Sequence, residues 1–352
     1  MAEILGLGLT HYPGLFMREQ HVTYFLRQTL AKGGVPDHLR SPEHWPEPMR
    51  REWSNDRGAR HAIEHRERSF KSIRALRQAL DDFRPDLLLI WGDDQYENFI
   101  EDIVPPFCAY ILDEMASRPF SNQDLKEFAE NIWDEPEDKV FTHRGHPQAA
   151  RFLVNQLNAQ GSSIPYAYRL RYKRGLAHAF INTLLFLDVD RVGFPYPVIP
   201  FHVNCYGGDL IRLRGGELRD AETSSEPDPG PPSAASCFDM GAAIARIFRD
   251  SRYRVALVAS SSWSHAFLTA KHHGLYPDHE SDRLRLSDLR SNRLVTWRAL
   301  EADTIRSAGQ QEFLNWICLA GAMAELGRKV EVLDYIETYV MNSDKCFALF
   351  PA

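Results

Sequence analysis

The sequence lacks a long hydrophobic run, an excess of positive charge and any paired cysteine motif, and each absence excludes a class of protein. No apolar stretch approaches the roughly 18 residues that a membrane-spanning helix needs. With 41 basic and 48 acidic side chains the formal charge is −7, whereas surfaces that bind nucleic acid or anionic membranes are basic. We therefore expect a soluble globular protein with no nucleic-acid and no membrane partner.

Cysteine is scarce as well, and its five positions form no CxxC pair. An odd number of scattered cysteines favours reduced structural thiols over a disulfide framework, which predicts a cytoplasmic location. Residues 1–9 carry an acidic side chain before their apolar run and no basic region. We expect a first strand there instead of a signal peptide.

Short apolar runs alternate along the chain with segments of helical spacing. Runs suited to buried strands occupy residues 3–9, 87–91, 196–206 and 254–260, and helical spacing occupies residues 61–83, 147–160, 237–249 and 309–325. This alternation is typical of an α/β protein. Residues 207–235, rich in glycine, proline, serine and charge, predict a surface insertion within a single catalytic domain that spans residues 1–352.

The run at residues 87–91 ends in a polar cluster. Gly92 breaks the run, and the polar side chains of Asp93-Asp-Gln-Tyr-Glu-Asn98 follow before Phe99 is apolar again. Polar groups at the carboxyl end of a buried strand are where open α/β sheets bind ligands. A solvated loop is the alternative on local sequence alone.

Other polar side chains share this kind of position, close to an apolar strand end or an apolar helix start. They are His11, His178, His202, His265 and Glu312. Two or three histidines with a carboxylate form the ligand set of a mononuclear metal site that leaves positions open for substrate and oxygen. A further histidine would act as acid or base, a role that its near-neutral pKa suits.

Two more histidines, His61 and His65, lie one turn apart at the start of the predicted helix 61–83. This helix precedes the strand at 87–91 in a β-α-β crossover, so its start is expected to return to the carboxyl end of that strand. Either histidine would then reach the site. The alternative is that both are surface groups on a charged helix.

Seven short blocks, in order along the chain, resemble those of a known family. They are Thr-His-Tyr-Pro-Gly-Leu at 10–15, the segment 92–107 with Asp-Asp-Gln and Ile-Val-Pro-Pro-Phe, Gly-His-Pro at 145–147, Leu-Ala-His at 176–178, Val-Ile-Pro-Phe-His-Val-Asn at 198–204, Ser-His at 264–265 and Glu-Phe-Leu-Asn-Trp at 312–316. They are similar to blocks of the class III extradiol ring-cleavage dioxygenases, typified by the catalytic β subunit of protocatechuate 4,5-dioxygenase. The resemblance implies an α/β fold with a central mixed sheet flanked by helices.

Position by position, the resemblance implies roles for four residues. His11 and Glu312 would be Fe(II) ligands, His265 the acid/base that deprotonates the substrate, and His178 a histidine beside the ligands or the substrate. The chain departs from the family at the last residue of an Asn-Asp-His block, where the second histidine ligand falls on Gln95. An amide oxygen is a much poorer ligand for Fe(II) than imidazole.

Three arrangements are open at this position. Gln95 binds the metal through its oxygen; or His61 or His65 supplies the missing imidazole while Gln95 hydrogen-bonds nearby; or the site has lost iron and performs other chemistry. We favour the second, with His61 because it lies nearer the helix start. With the first two arrangements both kept, the predicted residues of the metal site are His11, His61, Gln95 and Glu312.

The predicted function is Fe(II)-dependent extradiol cleavage of a catechol-type or aminophenol-type ring by O₂. The alternatives are a hydrolase or lyase with an altered metal site, and a non-enzymatic ligand-binding relative. The expected substrate is a small aromatic diol, for which Tyr96, Tyr206 and Trp263 are either ring anchors or packing residues. We also expect a homo-oligomer such as a dimer, and the resemblance is compatible with a small partner subunit or with a lid formed by residues 207–235.

Overall fold

This computed structural model describes residues 2–31, 34–121, 129–213 and 228–352. Ten strands form the sheets within these residues. They are β1 Ile4–Leu9, β2 Leu87–Gly92, β3 Phe107–Tyr110, β4 Glu114–Ser117, β5 Phe141–Arg144, β6 Tyr166–Ala167, β7 Val198–Val203, β8 Val255–Ser260, β9 Glu331–Ile336 and β10 Lys345–Phe350. Eight of them lie in one sheet in the order β6-β3-β7-β2-β8-β1-β10-β9, and β4 pairs with β5 separately. The predicted α/β fold with a central sheet is confirmed.

The four central strands, β7, β2, β8 and β1, run parallel to one another. Each is predominantly apolar and every residue in it is buried, as expected for strands covered on both faces. The pairs β1–β10, β10–β9 and β7–β3 run antiparallel, which makes the sheet mixed as predicted. Because the central strands point in one direction, the residues that follow them meet at one edge of the sheet.

Four of the helices occupy the segments for which the sequence predicts helical spacing. Those in the described residues are α1 Tyr24–Ala31, α2 Glu47–Trp53, α3 Ala59–Phe83, α4 Pro147–Ala159, α5 His178–Leu187, α6 Asp209–Leu213, α7 Ala234–Arg249, α8 His279–Arg290, α9 Ala302–Ser307 and α10 Phe313–Glu325. Helix α3 precedes β2 as predicted, but it packs against β9 and β10, where Arg68 pairs with Asp334 at 2.7 Å. None of the helices described here has both the length and the apolarity to cross a membrane.

Helices α7 and α10 pack against each other with their backbones in close approach. A Cβ atom at Gly241 of α7 would lie 1.8 Å from the carbonyl oxygen of Cys318, and one at Gly321 of α10 would lie 1.9 Å from that of Phe238. Glycine is therefore required at both positions for this spacing. Since α10 also contacts β1, β2 and β8, this packing places its first turn beside the carboxyl edge of the sheet.

The predicted insertion at residues 207–235 is described at its two ends. Residues 214–227 lie outside the described residues. At the described ends, the backbone N–H of Gly208 donates to the carbonyl of Pro229 at 2.7 Å, so the chain leaves and returns at nearly the same place. The five cysteines are all buried free thiols, in agreement with the structural role predicted for them.

Candidate functional site

Predicted site residues from distant parts of the chain meet at the carboxyl edge of the central strands. His11 follows β1, Gln95 follows β2, His265 follows β8, and Glu312 immediately precedes α10. His178, the first residue of α5, lies beside them, with its ring centre 4.9 Å from that of His11. Each polar residue comes near the point where an apolar element starts or ends, so the strand pattern itself positions the cluster.

The carboxylate of Glu312 lies between two imidazole rings. Its Oε2 is 3.3 Å from His11 Nε2 and 3.4 Å from His265 Nε2. The opposite ring nitrogens are held by backbone carbonyls, because Nδ1 of His11 is 3.0 Å from Ser260 O and Nδ1 of His265 is 3.0 Å from Trp263 O. A carbonyl oxygen only accepts, so each Nδ1 carries a proton and each ring turns its Nε2 toward Glu312.

This arrangement fits a bound cation. Imidazole nitrogens and a carboxylate oxygen that present lone pairs to one another need a proton or a metal ion among them. Apart from the two rings, Oε2 of Glu312 has no hydrogen-bond donor among the described residues. Imidazole and carboxylate are also the donors that non-haem Fe(II) sites use.

Gln95 contacts the other oxygen of Glu312. Its Nε2 donates to Glu312 Oε1 at 2.9 Å and to the hydroxyl oxygen of Tyr206 at 2.7 Å. The Tyr206 hydroxyl donates to the same Oε1 at 2.6 Å. Since a carboxylate only accepts, the amide nitrogen of Gln95 must face it. This geometry supports the predicted hydrogen-bonding role of Gln95 and not binding of a metal through its oxygen.

A second carboxylate, Asp93, directly follows β2 and is fully buried. Its Oδ1 accepts from Asn315 Nδ2 at 3.3 Å, whereas Oδ2 has no partner among the described residues. The ligand atoms of His11, Asp93 and His178 all lie within 4.8 Å of one another. Glu97 orients the ring of His178, because its Oε2 lies 3.0 Å from Nδ1 of that ring. The carboxylates of Asp93 and Glu312 therefore both lie near His11.

Burial and neighbouring charges shift the pKa values in this cluster. Burial would raise the pKa of Glu312, but the two facing imidazoles outweigh it and lower that pKa. Burial and then the charge of Glu312 raise the pKa of Asp93 to about 7. Burial would lower the pKa of His178, but Glu97 reverses this and raises it to about 9. Burial lowers the pKa of His265. Several of these shifts arise from carboxylates that lie close together, and such a group of carboxylates favours a bound cation.

The structure does not bring His61 into this cluster. Its Nε2 lies 3.1 Å from Thr338 Oγ1 and 3.3 Å from Glu52 Oε2, and no contact within the described residues joins it to the site. His65 is buried, with no hydrogen bond to either ring nitrogen among those residues. Helix α3 packs on β9 and β10, and Arg68 in its first half pairs with Asp334 of β9. The prediction that His61 replaces the missing imidazole therefore lacks structural support.

Replacing His61 with alanine is expected to leave the metal content of the protein unchanged, because its ring contacts Glu52 and Thr338. Elemental analysis of wild-type and His61→Ala protein, each loaded with Fe(II), makes the comparison. Circular dichroism checks that the variant is folded. Loss of bound metal from a folded variant would contradict this expectation and return His61 to the ligand set.

Other predicted positions have roles in packing or loop structure. His202 of β7 is fully buried with its ring centre 4.4 Å from that of Phe99, and burial lowers its pKa to about 3. Trp263 is fully buried among aromatic rings. The Tyr96 hydroxyl donates to Glu101 Oε1 at 2.7 Å. None of these contacts indicates a ring anchor, whereas the Tyr206 hydroxyl hydrogen-bonds to Glu312 in the site.

Sequence reasoning missed Glu97, Asn315 and Ser260, whose hydrogen bonds orient His178, Asp93 and His11. Glu97 lies in the polar cluster that follows β2, but the sequence alone indicates no role for it. Asn315 lies three residues after Glu312, on the same face of the helix, and that spacing was a usable signal. Ser260, whose carbonyl and hydroxyl oxygens lie 3.0 and 3.1 Å from His11 Nδ1, carries no comparable signal because it is a buried serine at a strand end.

No family model matches the chain. It is 24% identical over 193 residues to 2,3-dihydroxyphenylpropionate/2,3-dihydroxicinnamic acid 1,2-dioxygenase 2 of Pseudomonas putida, a match that covers 55% of this chain and 48% of the relative. The 2,3-dihydroxyphenylpropionate/2,3-dihydroxicinnamic acid 1,2-dioxygenase of Burkholderia vietnamiensis is 23% identical over 289 residues, or 74% of this chain and 83% of the relative. For the Pseudomonas putida protein and several other curated relatives, the chain spans only about half of the relative's length.

A solved structure of an uncharacterized protein from Escherichia coli K12 covers 81% of this chain and 92% of its own, with 18% identity and a TM-score of 0.46. The curated relatives, at identities of 24% and 23%, are named as dioxygenases of one substrate type. They confirm the resemblance of this chain to the class III extradiol ring-cleavage dioxygenases.

Proposed function

We propose that this protein is a non-haem Fe(II) dioxygenase that cleaves a catechol-type or aminophenol-type ring beside its paired substituents. The observation that carries the proposal is the convergence of His11 Nε2 and His265 Nε2 on Oε2 of Glu312. The dioxygenase names of the curated relatives support the same reaction class. A small aromatic diol and O₂ are the proposed substrates.

His11 and Glu312 would hold the iron. The far nitrogen of His11 is hydrogen-bonded to Ser260, and the far oxygen of Glu312 accepts from Tyr206 and Gln95. Ligands anchored in this way keep their orientation and bind a metal more tightly. When bound, Fe(II) supplies a Lewis acid for the diol and the electrons that activate O₂.

His265 is the proposed base that accepts a proton from a ring hydroxyl. Its Nδ1–H donates to the carbonyl of Trp263 at 3.0 Å, so Nε2 is the atom that receives the proton. This nitrogen faces the same space as Oε2 of Glu312. Because the ring is already oriented by the backbone, no rearrangement is needed before proton transfer.

His178 is the proposed contact for the substrate at the mouth of the site. Its side chain is 27% exposed, whereas that of His11 is 3% exposed. Glu97 binds both the backbone N–H and Nδ1 of His178, which leaves Nε2 to contact a bound molecule. Its position beside His11 places that contact next to the metal ligands.

Oxygen uptake by the reconstituted protein tests the proposed function. The protein is loaded with Fe(II) without air and then offered a panel of catechols and aminophenols in aerated buffer. Stoichiometric O₂ consumption with a ring-opened product that contains both oxygen atoms would support the proposal. Bound metal without oxygen uptake would overturn it in favour of a hydrolase or lyase. Saturable ligand binding without metal would overturn it in favour of a binding protein.

Replacing His265 with glutamine is expected to lower kcat by about 10²- to 10⁴-fold while the iron content stays at the wild-type level. The reason is that His265 is assigned to proton transfer and not to the metal. Steady-state oxygen uptake and elemental analysis of the same preparation measure the two quantities. Loss of iron from the folded His265→Gln variant would contradict this assignment and make His265 a ligand.

A further inference from the structure

We propose that Asp93 is the third protein ligand of the metal ion, in place of the histidine that the chain lacks. The inference rests on the proposed function, since it concerns the same metal site. The chain has Asp-Asp-Gln at residues 93–95 where the related block has Asn-Asp-His. One imidazole is therefore lost and one carboxylate gained at the same strand end, and carboxylate is a suitable ligand for divalent iron.

The surroundings of the Asp93 carboxylate are those expected of a metal ligand. It is fully buried, and its Oδ2 has no partner among the described residues. Leaving a buried carboxylate oxygen without a donor is costly unless a cation satisfies it. Oδ1 accepts a hydrogen bond from Asn315 Nδ2 at 3.3 Å, which orients the group as outer partners orient metal ligands.

The spacing of the neighbouring ligand atoms suits one ion. The ligand atoms of Asp93, His11 and His178 lie within 4.8 Å of one another, and His11 Nε2 is 3.3 Å from Glu312 Oε2. Donors that each lie about 2.0–2.2 Å from an ion are separated by up to about 4.4 Å. Asp93 and Glu312 therefore both lie within reach of an ion bound to His11.

The other candidates for the third position are engaged elsewhere. The amide nitrogen of Gln95 faces Glu312 Oε1 at 2.9 Å, and the ring of His61 contacts Thr338 at 3.1 Å. His178 is the more exposed histidine and is assigned to the substrate. The resulting set of one imidazole and two carboxylates balances the charge of a divalent ion. Three protein ligands would also leave coordination positions for the substrate and oxygen.

Another group of potential ligands in the described residues provides a control. His279, Glu337 and Asp344 also have ligand atoms within 4.8 Å of one another. Asp344 Oδ2 already lies 2.9 Å from His279 Nδ1 and accepts from the Tyr335 hydroxyl at 2.7 Å, and Glu337 accepts from Arg283 Nε at 2.8 Å. Because its carboxylates have protein partners, this group is not expected to take up the ion.

Titration of the apoprotein with Co(II), followed by its visible absorption and by equilibrium dialysis, tests the proposal. Asp93→Asn is expected to weaken Co(II) binding at least about tenfold and to change the ligand-field absorption of the residual complex. Asp344→Asn, which alters a buried aspartate of the other group, is expected to bind Co(II) as the wild type does. Circular dichroism checks folding. If Asp93→Asn does not fold, Asp93→Ser is titrated in its place.

The outcomes separate this inference from the proposed function. Wild-type affinity and absorption in the Asp93 variant would overturn Asp93 as a ligand, and the dioxygenase proposal would stand if the wild type consumes oxygen. Weaker binding only in Asp344→Asn would place the ion in the other group and overturn the inference. Absence of Co(II) binding by the wild type would overturn both. Weaker binding in Asp93→Asn without any oxygen uptake by the wild type supports Asp93 and contradicts the dioxygenase.

Discussion

Replacing Glu312 with glutamine is expected to reduce metal affinity at least about 100-fold and to abolish oxygen uptake. Oε2 of this carboxylate faces the Nε2 atoms of both His11 and His265, at 3.3 and 3.4 Å. Glutamine has nearly the same shape but no charge, and its amide cannot balance a divalent ion. The effect should exceed that of losing an outer partner such as Gln95, because a ligand is lost.

The measurement is Fe(II) content and oxygen uptake of Glu312→Gln beside a matched variant, Glu325→Gln. Glu325 lies at the other end of α10 and accepts from Arg246 Nη1 at 2.8 Å, far along the helix from the metal ligands. We expect the Glu325 variant to keep wild-type iron content and turnover. Normal iron content and turnover in folded Glu312→Gln would remove Glu312 from the ligand set.

Replacing Gly241 with alanine is expected to lower the free energy of unfolding by about 3 kcal/mol. The new Cβ atom would lie 1.8 Å from the carbonyl oxygen of Cys318 in α10. This oxygen belongs to the backbone of a helix and cannot rotate away, so α7 and α10 must separate. Because Glu312 immediately precedes α10, the displacement should also weaken metal binding.

Urea unfolding followed by circular dichroism measures this effect, with Gly230→Ala as the control. A Cβ atom at Gly230 would have no heavy atom within 4 Å, so we expect its free energy of unfolding to change by less than about 0.5 kcal/mol. Gly321→Ala should resemble Gly241→Ala, since its Cβ would lie 1.9 Å from the Phe238 carbonyl oxygen. Wild-type stability in Gly241→Ala would show that the two helices are not packed this closely.

The sequence by itself determined the central strands of this fold, several of its helices and the edge at which its chemistry lies. Apolar runs predict β1, β2, β7 and β8, and helical spacing predicts α3 and α10, because these patterns reflect which side chains each element buries. The positions of His11, His265 and Glu312 follow from the same patterns, since each is polar where an apolar element ends or begins. These features are local, so they can be read from neighbouring residues.

Only the tertiary structure decided which side chains complete the site. The expectation for His61 depended on where α3 lies, and α3 packs on β9 and β10, strands formed by the last part of the chain. The orientation of Gln95 depends on Glu312, 217 residues away, and the position of Asp93 depends on Asn315, 222 residues away. Such contacts are set by the order of strands in the sheet and by the packing of α10, and no local pattern contains that order.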